Sequence, residues 1–311
     1  MSSLAFIGAT GKLGQEIAPG LKTAEGFDRF LALVRPESAT KEAAKHLQDL
    51  GYELVLCDVS DTEALEKVLQ GCKVVVSTLS KGQLHKLETG VVDAAKKAGV
   101  SLFVPSQFGV DLDRFGASHP VYQAKVKVVE KAREVGLPVL KVLTGFFSDI
   151  IFDILADPWE GKARLVGDPA DAPMISFTRR SDVGYVLAKA LTDPTYYSDG
   201  GVLAMAGTTC KWKEGLDLLA SIMGKEFEYT TISVEDAEKE QARLIEEGEE
   251  ELNLRKNWAA FSLHLLTVLG SGNNGVDMSA IAKNYGHEME PLEVTLRNVY
   301  IHPDDKGEDN S

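Results

Sequence analysis

A chain of 311 residues, 44% hydrophobic and 26% charged, is long enough for one large or two modest globular domains around a substantial core. Its formal charge of −14 argues against nucleic acid or an anionic membrane surface as a partner, because both rest on concentrated Lys and Arg. Three scattered cysteines, Cys57, Cys72 and Cys210, exclude a disulfide framework and point to a reducing, cytoplasmic compartment. The six histidines show no metal-ligand spacing, so no metal is expected. The start "MSSLAFIGAT" has no basic region of a signal peptide, and no run approaches the ~20 apolar residues that span a bilayer.

Short apolar runs then recur along the first half: "SLAFIG", "FLALV" (30–34), "ELVLC" (53–57), "KVVVSTL" (73–79), "SLFVPS" (101–106) and "PVLKVL" (138–143). Most lack polar alternation, as strands covered on both faces should. Segments with helical spacing lie between them, over 12–24, 39–50, 61–70, 83–98 and 122–136. In "SDTEALEKVLQG", Ser60 is the expected N-cap, with Glu63 three residues on and Gly71 as the stop. After residue 147 the rhythm changes. Residues 157–173 are punctuated by Pro and Gly and read as loop, 180–193 as an amphipathic helix, and 200–207 as another buried strand. The acidic stretch 233–252 reads as the solvated face of a helix. The class is α/β: a Rossmann-type doubly wound parallel sheet with a smaller, mostly helical substrate domain. The expected sheet domain is 1–150, with 176–207 returning to it. The second domain is 151–175 and 208–302, and 303–311 is a frayed tail.

"GATGKLG" opens where the first strand must turn into the first helix, the context in which such glycines bind a dinucleotide. Gly8 makes the sharp turn, Gly11 lets the backbone approach a pyrophosphate, and Gly14 lets the helix pack close to the sheet. Thr10, Lys12 and Leu13 complete the loop, whose unpaired N–H groups would face the anion. The second strand ends in Arg35 where a carboxylate would bind a ribose 2′-hydroxyl, so a 2′-phosphate, and hence NADPH, is the expected cofactor. Lys41 or Lys45 either adds a second charge or is a surface residue. Asp58 either caps its turn or approaches the adenine amine. Ser77, Thr78 and Leu79, ending the fourth strand, fall beside the cofactor ribose at the switch point.

Tyr122 is followed by Lys125, a spacing of three, so the Tyr-x-x-x-Lys pair of short-chain dehydrogenases is absent. "FVPSQFGVDLDR" (103–114), "YQAKVKVVEKAREVGLPVLKVLTGFF" (122–147) and "ISFTRRSDVGYVLAKAL" (175–191) resemble the isoflavone-reductase-like, or NmrA-like, family, over about residues 3–192. That resemblance implies a Rossmann domain with NADPH, a smaller substrate domain, and reduction of isoflavones, benzylic ethers or related aromatic compounds. It implies that Lys125 lies by the nicotinamide, hydrogen-bonds the ribose and assists proton transfer; Lys127, two residues on, faces away on a helix and is expected to be solvated. It places Gln83 on the nicotinamide side, and Phe108 and Phe146 flanking nicotinamide and substrate. Phe146, Phe147 and Phe152, with Trp258 and Phe261, are candidates for a cleft that takes a small, flat apolar substrate. Two residues depart from the plant members: Gln107 replaces the carboxylate of "PSEFG", and Lys12 stands where an aromatic or small residue is common. The rival function is a non-catalytic NAD(P)-binding redox sensor that regulates a protein partner, and isomerases or epimerases use the same cofactor. Lys125 discriminates, since sensors of this family tend to lack it.

Overall fold

β1 (Ser3–Ile7) is buried along its whole length. Its side chains alternate between two cores, Leu4 and Phe6 entering one, Ala5 and Ile7 the other. The computed structural model describes residues 2–79, 84–115, 120–247, 258–271 and 276–301. Around β1 it arranges α1 (Lys12–Leu21), β2 (Arg29–Val34), α2 (Glu42–Asp49), β3 (Glu53–Leu56), α3 (Thr62–Leu69), β4 (Cys72–Ser77), α4 (Leu84–Lys97) and β5 (Leu102–Val104). The strands pair in parallel in the order β3-β2-β1-β4-β5. Winding therefore reverses between β1 and β4, the place where an open α/β sheet has its crevice.

Next come β6 (Phe108–Gly109), α5 (Leu112–Phe115), α6 (Pro120–Glu134), β7 (Leu140–Leu143), β8 (Phe146–Phe147), α7 (Ile151–Leu155), β9 (Ala156–Asp157) and β10 (Lys162–Val166). They are followed by β11 (Ile175–Thr178), α8 (Arg180–Ala190), α9 (Thr195–Asp199), β12 (Gly201–Ala204), β13 (Thr208–Cys210) and α10 (Trp212–Met223). The last described elements are β14 (Glu228–Ile232), α11 (Val234–Glu247), α12 (Trp258–Gly270) and α13 (Leu292–Tyr300). β12 lies parallel to β7, and a bridge from Val139 to Phe103 ties that group to β5. A further core gathers Phe152, Leu165, Phe177, Trp212, Leu263 and Leu296. Among the described residues no helix is long and apolar enough to cross a membrane.

Three expectations change. Residues 157–173 are not all loop, because "KARLV" forms β10 between Gly161 and Gly167, both at positive φ. The region after 208 also holds strands: β14 lies parallel to β10, and β13 antiparallel to β11. "EYTTI" has strand-forming residues but places them only at exposed and half-buried positions, so it offers no apolar run to read. The cap of α3 is Asp61, whose carboxylate accepts from the Ala64 N–H at 3.0 Å, and not Ser60. Ser60 is already engaged, its N–H and hydroxyl both donating to Asp58 Oδ1.

α8 packs against α1 with backbone almost touching backbone. A Cβ on Gly184 would stand 2.2 Å from the Ile17 carbonyl oxygen, and one on Gly20 would stand 2.4 Å from the Tyr185 nitrogen. Gly184→Ala is expected to cost about 1–3 kcal/mol of stability by overpacking. Urea unfolding should show a lower midpoint at unchanged slope; an unmoved midpoint would mean that the two helices separate freely.

Candidate active site

The chain leaves β1 at Gly8 with φ +80, the left-handed region that glycine enters without strain. A Cβ there would stand 2.9 Å from both the carbonyl carbon and Oγ1 of Thr78. Thr78 in turn donates its N–H to the Ile7 carbonyl at 2.9 Å, so the turn lies directly on the end of β4. The Gly11 N–H closes the turn on the Gly8 carbonyl at 2.9 Å. Gly14 permits a different close approach from the one expected. Its Cβ would meet Gly8 O at 2.4 Å and Ala9 Cα at 2.7 Å, so α1 packs on the turn itself. No side chain caps α1 at Gly11, which leaves its leading N–H groups for an anion. Lys12 is exposed there, and Thr10 and Leu13 are half-buried.

Arg35 follows β2 and enters a single 3-10 turn, Pro36–Ser38. Its Nη1 lies 3.1 Å from Glu37 Oε1, with the two side chains 56% and 60% exposed. An ion pair that open contributes little, so the guanidinium is available to a stronger anion. Asp58 caps its own turn, its Oδ1 accepting from the Ser60 N–H and hydroxyl. The Ser60 N–H and hydroxyl hold its carboxyl below the usual range, helped by nearby Arg35. Lys41 and Lys45 are exposed. Ser77 and Thr78 are buried, and Leu79 is half-buried. Gln83 lies outside the described residues.

Lys125 stands on the face of α6 that carries Tyr122 one turn earlier, whereas Lys127 is exposed. The half-buried Lys125 side chain donates from Nζ to the Ser106 carbonyl at 2.8 Å. Ser106 also donates its hydroxyl to the Leu79 carbonyl at 2.7 Å, and its N–H to Glu88 Oε1 at 2.9 Å. An unbroken run of contacts thus leads from Gly8 through Thr78, Leu79 and Ser106 to the Lys125 amine. Burial pushes that amine below the ordinary lysine range, and the Glu88 carboxylate pulls it back up. Burial likewise pushes Glu88 up, against the Ser77 side chain, the Ser106 N–H and Lys125. Glu88 escaped the sequence reading, although a signal was present. It precedes Val91, Val92 and Ala95 on the apolar stripe of α4, where a carboxylate is out of place.

The aromatic expectations divide. Phe152 is core: fully buried, it stacks between Phe177, at 5.8 Å, and Trp212, at 4.9 Å between ring centroids. Phe108 and Phe146 are buried in separate cores, and Phe147 is half-buried. Phe261 reaches Tyr122 at 6.3 Å and Trp258 at 6.0 Å, and the His264 ring lies 5.3 Å from Tyr122. α12 therefore lays an aromatic array on the first turns of α6, and Trp258 is 41% exposed at its end. Gln107 is buried, and its Oε1 has no hydrogen-bond partner.

A parallel sheet with a glycine turn at its switch point and an amine beside it defines a nucleotide-binding α/β protein of the dehydrogenase type. Residues 1–262 match the NmrA-like family, and the chain belongs to that family. The phenylcoumaran benzylic ether reductase Pyrc5 of Pyrus communis is 30% identical over 240 residues, 73% of this chain and 76% of that protein. The isoflavone reductase homolog P3 of Arabidopsis thaliana is 28% identical over 249 residues, 75% of this chain and 79% of that protein. Among solved structures, the binary complex of leucoanthocyanidin reductase with NADPH from Vitis vinifera matches with a TM-score of 0.77 at 21% identity. It covers 96% of this chain and 99% of its own. A crystal structure of isoflavone reductase matches with a TM-score of 0.77 at 22% identity, covering 95% and 98%. At such identities the structural likeness speaks to the fold.

Proposed function

We propose that the protein is an NADPH-dependent reductase of an aromatic or conjugated small molecule, with Lys125 as the proton donor. The observation that carries this reading is the Lys125 amine, half-buried and held on the Ser106 carbonyl one contact from the end of β4. The relatives, named as reductases, and a structural neighbour named as an NADPH complex support it.

The residues present fit the cofactor. The turn at Gly8, Gly11 and Gly14 has no room for a Cβ at its first and last positions, and α1 offers an uncapped amino end to a diphosphate. Arg35 would take the 2′-phosphate. Ser77, Thr78 and Leu79 would lie along the ribose, with Phe108 and Phe146 supporting the far end by packing. When bound, the nicotinamide supplies the hydride. The chain's own work is to orient the reactants, exclude water and provide a proton at Lys125 Nζ. Phe146, Phe147 and the Tyr122–Phe261–Trp258 array would supply apolar surface for the substrate. Three free cysteines support a cytoplasmic setting, and the net charge of −14 weighs against nucleic acid and anionic membranes as partners.

The ammonium is the donor, and burial lowers its proton affinity. The rate should therefore be full at neutral pH and fall as pH rises through the lowered lysine value. The alkaline limb of kcat/KM is expected below that of a solvent-exposed lysine. With a panel of aromatic enones and benzylic ethers, NADPH oxidation by Lys125→Ala should be slower by about 10²–10⁴-fold. A variant as fast as the native protein on every active compound would sink the reading.

Cofactor choice is tested separately. Arg35→Ala should weaken NADPH binding by roughly 1.5–3 kcal/mol, the value of a hydrogen bond to a charged group, and leave NADH unaffected. Equal affinity of the native protein for the two cofactors, measured by fluorescence titration, would remove Arg35 from the site.

A further inference from the structure

Glu88 is the buried charge that the proposed chemistry leaves unused. It is 1% exposed, its Oε1 accepts the Ser106 N–H at 2.9 Å, and its Oε2 is buried without a hydrogen-bond partner. Ser106 is thereby clamped at both ends of one residue, its N–H on Glu88 and its carbonyl on Lys125 Nζ at 2.8 Å. An amide oxygen would accept the same N–H with a smaller desolvation cost, so the tie alone does not account for a carboxylate at this depth.

The surroundings indicate what the charge acts upon. From β4 and the loop after β5, Glu88 meets the Ser77 hydroxyl and the Ser106 N–H; from α6 it meets Lys125. Among the described residues Glu88 is the charge that acts on the Lys125 amine. Tyr122, one turn earlier on α6, is a buried phenol whose proton is held more tightly than usual, and His264 on α12 faces the Tyr122 ring.

We propose that Glu88 is a positioning residue for the reductive site: it fixes the Ser106 carbonyl that aims the Lys125 amine, and its negative charge keeps that amine protonated in the cleft. This rests on Lys125 being the proton donor. A neutral residue at 88 would leave the Lys125 amine correctly placed but easier to deprotonate.

The test reads the lysine directly, without substrate. Competitive acetylation by acetic anhydride across a pH series, quantified by mass spectrometry on the peptide containing Lys125, gives the midpoint of its titration. Glu88→Gln keeps the oxygen that accepts from Ser106 and removes the charge, so the midpoint should fall by about one pH unit. Glu88→Asp retains a carboxylate and should restore most of the native midpoint, which a merely structural role would not do. A Glu88→Gln midpoint equal to the native one overturns the proposal, as does an Asp variant that titrates like Gln. The two readings fail separately. Full reductase activity in Lys125→Ala removes the donor, whereas an unmoved midpoint with an inactive Lys125→Ala removes the role of Glu88 alone.

Discussion

Ser106 is held from three elements at once, by Leu79 after β4, Glu88 on α4 and Lys125 on α6, and the rest of the site depends on that grip. Its precision comes from apolar packing elsewhere. Val91, Val92 and Ala95 continue the stripe that begins at Glu88, and Val128 and Ala132 continue the one that contains Lys125. All five are buried in the core on one face of the parallel sheet. Each helix thus anchors its later turns on the sheet and carries one charge inward near its start. Desolvation follows from the packing, and the opposed shifts of the two groups follow from desolvation.

A chain of net charge −14 is an unexpected host for a polyanion, and local geometry resolves the difficulty. Screening confines the long-range field to about 10 Å at moderate salt. The cations and donors offered to a diphosphate are the uncapped start of α1, Lys12 and a lightly paired Arg35. Glu37 and Asp58 lie near Arg35, but many of the remaining acids lie along the solvated face of α11. Net charge governs solubility and non-specific partners, whereas the bare turn at Gly8 governs this one site.

Much of this was legible in the sequence because the relevant forces are local. Apolar runs report strands buried on two faces, and Gly8 reports a backbone that must turn where β4 leaves no room for a side chain. Period alone separates Lys125, in step with Val128 and Ala132, from exposed Lys127. What escaped depended on partners far along the chain. Phe152 looked like its neighbour Phe147 until Phe177 and Trp212 closed on it. β10 and β14 pair across 66 residues, Lys162 with Glu228, and carry no apolar run of their own kind. The N-cap moved by one residue because Asp58 had already taken Ser60. Glu88 was visible as a charge on an apolar stripe, but its meaning required Ser106 and Lys125 beside it.

α6 also joins the two halves of the molecule. Val128 and Ala132 belong to the sheet's core, whereas Tyr122, a turn before Lys125, belongs to the core built by α7, α10, α12 and α13. The amine therefore sits on a rigid helix at the seam between them. From one side it receives its charge environment, through Glu88 and Ser106. From the other, Phe261 and His264 on α12 set the aromatic wall around Tyr122. Under the proposed reading this divides the labour physically: the sheet half fixes protonation and cofactor geometry, and the α12 half fixes which apolar ligand reaches the amine. A substitution at the α12 face can then alter substrate choice while the Glu88–Ser106–Lys125 tie stays intact, because α6 is held on the sheet by packing that α12 does not share.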